Sequence, residues 1–302
     1  MGHIVMLFED IEKDNLSGAA DILINAGKQW RRLIEESSHI SVENLRQQGL
    51  ELLSRQPGMA PLFNLVNAVL LQTAKASSGN DTAHLAVKAL DDFIGQTQSA
   101  KSLLTEQAEQ VLKDHRIVAT TSHSSIVISV LLSHFKKGNK LEVMVGESRP
   151  MHEGRSAATK LAKAGIPITL FVDAAMSLAV QQSDLVLVGA DAFSENKVVN
   201  KIGTRALALL AGEAEKPVYC LATTDKFLPS SINMPTQKQR PAEEVWADAP
   251  AGVGIQNIYF EETPMNLFSG VLTEKGLFTA EHSDNTLPEI DTWLRIKFNS
   301  IC

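Results

Sequence analysis

Cysteine is scarce in this chain: Cys220 and Cys302 are the two among 302 residues. Cys220 lies inside the apolar run 218–222 and Cys302 is the last residue. Neither a disulfide framework nor a cysteine metal site is expected, and a reducing, cytoplasmic setting is the default. Aromatic residues reach only 5%, too few for a surface on which bases stack. Basic residues are outnumbered, 28 Lys and Arg against 35 Asp and Glu, for a net charge of −7. With no cationic excess, direct nucleic-acid binding is not expected. No apolar run approaches the ~18 residues of a membrane span. Glu9 and Asp10 come before any long apolar run, which argues against a signal peptide. His3, His84, His134, His152 and His282 show no ligand-like spacing, so no metal is expected, and no cofactor is expected either.

What is present is ordinary for a folded protein with a sizeable core: 44% hydrophobic and 21% charged residues. The pattern divides the chain in two. Up to about residue 115 the apolar period is helical, with Ile22, Ala26, Trp30, Leu33 and Ile34 at three- and four-residue steps. Ser41 is placed to cap a helix carrying Val42, Leu45, Leu52 and Leu53, and Asp81-Thr82 to open another. After Asp114 short β-branched runs alternate with helical ones. Strands are expected at 117–120, 141–145, 166–172, 185–188 and 218–222, with a last one at 255–260. Helices are expected at 125–135, 155–164, 174–181 and 204–214. Such alternation means βαβ units and a parallel sheet. The expected fold class is α/β: a helical domain over 1–115, then a doubly wound, mainly parallel Rossmann-like domain over 116–302. Residues 229–252, with four prolines, read as an irregular surface excursion.

Each strand of the second half ends in a polar loop. The first gives Ser122, His123 and Ser124, and the second Glu147 and Arg149. The third gives Asp173, the fourth Asp191, and the fifth Asp225 and Lys226. Taken singly, these residue types suit caps and turns. Five on one sheet edge point to a ligand site. Arg149, Lys201 and Lys226 would repel one another unless an anion or the carboxylates compensate. Glu147 is the expected partner of Arg149, and Asp173 reads as an N-cap. Ser122 beside His123 is not a nucleophile with its base, because adjacent side chains rarely meet and no Gly-x-Ser-x-Gly elbow surrounds them.

The stretch 189–204 is the most informative. The apolar run 185–188 delivers Asp191 to a strand end, and Asn200, Lys201 and Thr204 stand at the mouth of the next helix. A carboxylate, an amide, a lysine and helix-start N–H groups suit a small phosphorylated molecule.

These residues also carry a resemblance. The run Gly189 to Thr204, with Glu147-Ser148-Arg149-Pro150, Gly154, Thr224-Asp225-Lys226-Phe227 and Thr263-Pro264, resembles one known family. It contains the α, β and δ subunits of eukaryotic initiation factor 2B, methylthioribose-1-phosphate isomerase and ribose-1,5-bisphosphate isomerase. The resemblance is strong over roughly 115–280. It implies an N-terminal helical domain, a Rossmann-like C-terminal domain and a homodimer built through the latter, to which the apolar segment 265–272 is expected to contribute. For the isomerases it implies catalysis by a cysteine at the first strand end and by the aspartate of Gly-Ala-Asp. Here those positions are Ser122 and Asp191. It also places ligand contacts at Gly18 and Ala19, where the isomerases' Arg-Gly-Ala reads Ser17-Gly18-Ala19. Two readings follow: an aldose–ketose isomerase acting on a pentose phosphate, or a catalytically silent, ligand-sensing relative of the initiation-factor subunits. A thiol replaced by a hydroxyl is a far weaker acid, which separates them.

Overall fold

The computed structural model describes residues 8, 11, 19–56, 58–232, 239–279 and 289–301. They form an α/β protein that divides into two compact units. One comprises Met1–Ala100, Asp225–Pro235 and Thr286–Cys302, the other Lys101–Thr224 and Thr236–Asn285. The 1–115/116–302 division expected from the sequence follows apolar period. The compact units follow packing, and the 29-residue helix Gly79–Gln107 runs through their boundary.

The first unit is helical: α1 (Ala19–Glu36), α2 (Val42–Arg55), α3 (Ala60–Thr73), the start of α4 (Gly79–Gln107) and the C-terminal helix Thr292–Ile301. Leu23, Trp30, Leu45, Leu52, Leu62 and Phe63 are fully buried there. Ser41 caps α2 as its position predicts: its hydroxyl accepts from Asn44 N–H, and Asn44 Oδ1 accepts from Ser41 N–H at 3.0 Å. Asn64 Nδ2 donates to the carbonyls of Asp225 and Phe227, both at 2.7 Å, which ties the returning segment to α3.

The second unit is built on β1 (Ile117–Thr121), β2 (Glu142–Gly146), β3 (Ile168–Phe171), β4 (Leu185–Gly189), β7 (Val218–Leu221), β9 (Gly270–Thr273) and β10 (Gly276–Phe278). Their order in the sheet is β10-β9-β7-β4-β1-β2-β3, parallel throughout except for β10. The short helix α5 (Glu109–Leu112) precedes β1; α6 (Ser125–Lys136), α7 (Glu153–Lys163), α8 (Met176–Gln182) and α9 (Thr204–Glu213) connect the strands. Helix α6 packs with α7, and α8 with α9. Val118, Val143, Val145, Leu185 and Leu187 share one core with the apolar faces of α6 and α7. Every residue of β4 is buried, as its unbroken apolar run requires of a central parallel strand.

Three features differ from the sequence expectation. The stretch between Asp191 and α9 is a hairpin, β5 (Ala192–Phe193) and β6 (Lys197–Lys201), joined by β8 (Phe260–Pro264) in a small antiparallel sheet. Ser194 closes the hairpin turn by donating its N–H to Lys197 O at 2.8 Å and its hydroxyl to Asn196 Oδ1 at 2.8 Å. The strand expected at 255–260 starts where that expectation ends. Residues before Phe260 contribute only the bridge Gln239–Ile258, because Phe260 is where pairing with Lys201 begins. The apolar segment 265–272 is used inside the chain: Met265, Phe268, Val271 and Leu272 are buried within it. They are thus not an exposed apolar surface for a second copy. No helix among the described residues is long and apolar enough to cross a membrane.

Candidate functional site

The strand order reverses direction at β1 and β4, whose successors lie on opposite sides. A crevice outside the carboxyl ends of two such strands is where doubly wound sheets bind ligands. The loop after β1 carries Ser122, His123 and Ser124; the loop after β4 carries Asp191. The two loops are in close contact. A Cβ on Gly189 would stand 2.4 Å from Ser124 Oγ and 2.7 Å from its Cβ, so only glycine permits the approach. Ser124 is the N-cap of α6, its hydroxyl accepting from Val127 N–H. Asp191 is half-buried and donates its N–H to Val199 O at 2.8 Å, which starts the β5–β6 hairpin.

Ser148, which sequence reasoning passed over, organises the neighbouring strand ends. Its Oγ accepts from Ser122 N–H at 2.7 Å and lies 3.0 Å from Thr121 Oγ1. The Asp173 carboxylate accepts from Ser148 N–H at 2.8 Å and from Arg149 N–H at 2.7 Å. Asp173 therefore fastens the β2 loop with its side chain rather than capping the turn it begins. Ser122 (φ 64°), Ser148 (φ 63°) and His152 (φ 58°) all adopt the left-handed conformation. Each costs an L-residue about 1–3 kcal/mol and persists only where surrounding bonds enforce it. Clusters of this kind occur at binding loops, and the bonds to Ser148 supply the enforcement.

Glu147 does not pair with Arg149. It holds Arg155 at 2.6 Å and faces His152 at 3.5 Å, because α7 brings Arg155 back over the loop. Arg155 draws the Glu147 carboxyl below its ordinary value. The exposed Arg149 instead donates from Nη2 to Val245 O at 2.8 Å, and its Nη1 lies 3.5 Å from His152 Nε2. The imidazole of His123 is held below its ordinary value, first by desolvation and then by the Lys160 ammonium, with Glu153 opposing.

Asn200 and Lys201 are both buried at the end of β6. Asn200 Nδ2 donates to Thr204 Oγ1 at 3.0 Å, and that hydroxyl donates to Lys201 O at 2.6 Å. Lys201 Nζ donates to Glu153 Oε1 at 2.6 Å and sits 4.3 Å from the centre of the Tyr259 ring. The other carboxylate oxygen of Glu153 is buried with no hydrogen-bond partner. The helix-start N–H groups of Gly203 and Arg205 are taken by Glu261 Oε1 at 2.6 and 3.0 Å. Ala19 is the first residue of α1, and Gly18 falls outside the described residues. Lys226 closes the turn Thr224–Lys226, on the segment that belongs to the first unit. The second unit thus gathers Ser122, His123, Ser124, Arg149, Asp191, Asn200 and Lys201 along the carboxyl edge of its sheet and the adjoining hairpin. Sequence reasoning quoted Ser148 only within a motif and gave it no role, and it missed Glu153, Glu244 and Tyr259. Tyr259 alone carried a signal, as one of only two tyrosines in the chain.

The sequence matches the Initiation factor 2 subunit family over residues 15–280. The chain belongs to this family. Two relatives within the family range are each 30% identical to it. They are the ribose 1,5-bisphosphate isomerases of Archaeoglobus fulgidus, matched over 93% of this chain and 91% of that protein, and of Methanocaldococcus jannaschii, over 95% of each. Among solved structures, the translation initiation factor eIF-2B of Pyrococcus horikoshii superposes with a TM-score of 0.76 at 25% identity, covering 90% of this chain and 95% of that one. The 5-methylthioribose 1-phosphate isomerase of the same organism shares the fold, with a TM-score of 0.72 at 22% identity, covering 98% and 87%. The initiation factor 2 subunit fold is therefore the frame on which the loops at β1 and β4 sit.

Proposed function

We propose that this chain is a phosphosugar-binding protein that interconverts a pentose phosphate between its aldose and ketose forms. The observation that supports the reading is the placement of Ser122 and Asp191 on the two loops that flank the β1/β4 switch point. The similarity to ribose 1,5-bisphosphate isomerases supplies the substrate class. In this reading Asp191 handles the proton that passes between the oxygens of carbons 1 and 2. Ser122 takes the cysteine's position as the weaker acid. Arg149, Asn200, Lys201, His123 and Ser124 address the phosphorylated ligand from the second unit. An incoming phosphate joins Glu153 on Lys201, taking ammonium donors that the carboxylate leaves open in charge-assisted hydrogen bonds. The protein acts as a homodimer, which light scattering at micromolar concentration tests; a monomer there refutes that part.

The direct test is incubation with ribose 1,5-bisphosphate and a panel of aldose phosphates, following ketose formation by NMR and binding by calorimetry. Turnover of any member supports the isomerase. One specific observation favours a second reading, a ligand sensor without turnover: the hydroxyl of Ser122 where the isomerases have a thiol. Binding without ketose formation supports that reading, and neither binding nor turnover overturns both.

A further inference from the structure

Two cations of the proposed site, Arg149 and Lys201, are joined by an unbroken chain of contacts through one irregular segment. Lys201 pairs with Phe260 across β6 and β8. Tyr259, the preceding residue, lays its ring 4.3 Å from the Lys201 ammonium. The guanidinium of Arg240 also lies 4.9 Å from that ring. The phenol donates to Glu244 Oε2 at 2.6 Å, and Asn257 Nδ2 donates to the same oxygen at 2.7 Å. Glu244 ends the turn Ala242–Glu244, and the carbonyl of the next residue, Val245, accepts from Arg149 Nη2 at 2.8 Å. Asn257 Nδ2 also reaches Pro241 O at 2.7 Å, so the turn is held from both ends.

We propose that Tyr259 and Glu244 are positioning residues that set Arg149 and Lys201 at one spacing, so that both address the same phosphorylated ligand. The proposal rests on the reading of this edge as a phosphosugar site. An aromatic face attracts an ammonium without using any of its N–H donors. Glu153 takes one of the three donors of Lys201, and the ring keeps the group in place while the others meet a ligand. The Val245 carbonyl accepts from one of the five donors of the Arg149 fork and leaves others for a ligand. Burial and the Glu244 carboxylate hold the Tyr259 phenol far above its ordinary value, so it remains a donor to Glu244 across the working pH range.

The test uses Tyr259→Leu, Tyr259→Phe and Glu244→Leu in the full chain, with thermal melting to establish that each is folded. Two readouts are taken. The first is the rate at which Lys201 is acetylated by acetic anhydride, located by peptide mass, which requires no ligand. The second is the dissociation constant for ribose 5-phosphate. Tyr259→Leu removes the ring, and is expected to speed Lys201 acetylation several-fold and weaken binding roughly tenfold. Tyr259→Phe keeps the ring and is expected to leave acetylation at the parent rate while weakening binding less. Glu244→Leu frees the Val245 turn and is expected to weaken binding with little effect on acetylation. Parent-like acetylation and affinity in folded Tyr259→Leu overturn the proposal. Should Tyr259→Leu fail to fold, equal affinity in Glu244→Leu and the parent overturns it. If the parent binds no aldose phosphate but Tyr259→Leu still unmasks Lys201, the phosphosugar reading fails and the positioning of Lys201 stands.

Discussion

Gly189 and Ser124 touch across the β1/β4 crevice so closely that a methyl group on residue 189 would lie 2.7 Å from Ser124 Cβ. Rotating the serine hydroxyl relieves the oxygen contact but not the carbon one. Gly189→Ala therefore has to push the two loops apart. Overpacking of this kind costs about 1–3 kcal/mol. The expected outcome is a lower melting temperature and weaker sugar-phosphate binding, with the melting temperature recovered in part by the second change Ser124→Gly. Failure of Ser124→Gly to recover it contradicts the contact.

Lys201→Ala is expected to weaken binding of an anionic ligand by roughly tenfold or more, since a hydrogen bond to a charged group contributes about 1.5–3 kcal/mol. It also leaves Glu153 facing the site without its cation. Stability should therefore fall, and the pair Lys201→Ala with Glu153→Gln should regain stability without regaining affinity. Calorimetric titration and thermal melting measure the two effects separately. Parent-like affinity in Lys201→Ala means that the phosphate sits elsewhere.

Asp191→Asn preserves shape and removes the titrating carboxylate. General acid–base catalysis contributes about 10²–10⁴-fold, and ketose formation should drop by that order while ligand binding persists. Ser122→Cys supplies a thiol at the position where the isomerases carry one and should raise turnover. No turnover in the parent or in Ser122→Cys, with binding intact in both, decides for the ligand sensor.

Asp184 offers a pH test away from the site. Its Oδ2 accepts from Arg116 N–H at 2.7 Å and Ile117 N–H at 2.8 Å, clamping the start of β1 to the start of β4. Partial burial raises the carboxyl, and these two N–H groups outweigh it and hold the group below its ordinary value. The unfolded chain thus binds this proton more readily than the folded one. The stability Asp184 adds is full above the unfolded carboxyl value of about 3.9 and is lost as pH falls through the folded value. The gap in melting temperature between the parent and Asp184→Ala should be widest near neutrality and narrow below about pH 4. A gap that does not change with pH refutes the account.

The parts of this fold that local chemistry dictates were legible in the sequence. Ser41 announces a helix start, and five of the six parallel strands announce themselves as short apolar runs, unbroken in the central β4 because burial on both faces demands it. β6 was not legible: Val198 and Val199 are its only apolar residues, and the lysines at its two ends find their carboxylates, Glu262 and Glu153, far along the chain. The loops at the switch point could be read as a ligand edge from residue types alone. Their internal wiring could not. Glu147 chooses Arg155 over the nearer Arg149 because a helix turn returns it, and Lys201 meets a carboxylate 48 positions away.

Gly154 carries a consequence for how this surface can vary. A Cβ there would fall 1.8 Å from the carbonyl oxygen of Gly146, a backbone atom that no side-chain rotation can remove. In a library of all substitutions, position 154 should therefore return glycine alone, whereas Gly212, with open space around it, should accept many residues. The first turn of α7 is thereby pinned to the end of β2, and Glu153 inherits its place from that contact. Whatever anion Lys201 comes to meet, variation in this lineage has to proceed through the identity of residue 153, since its location is closed to change.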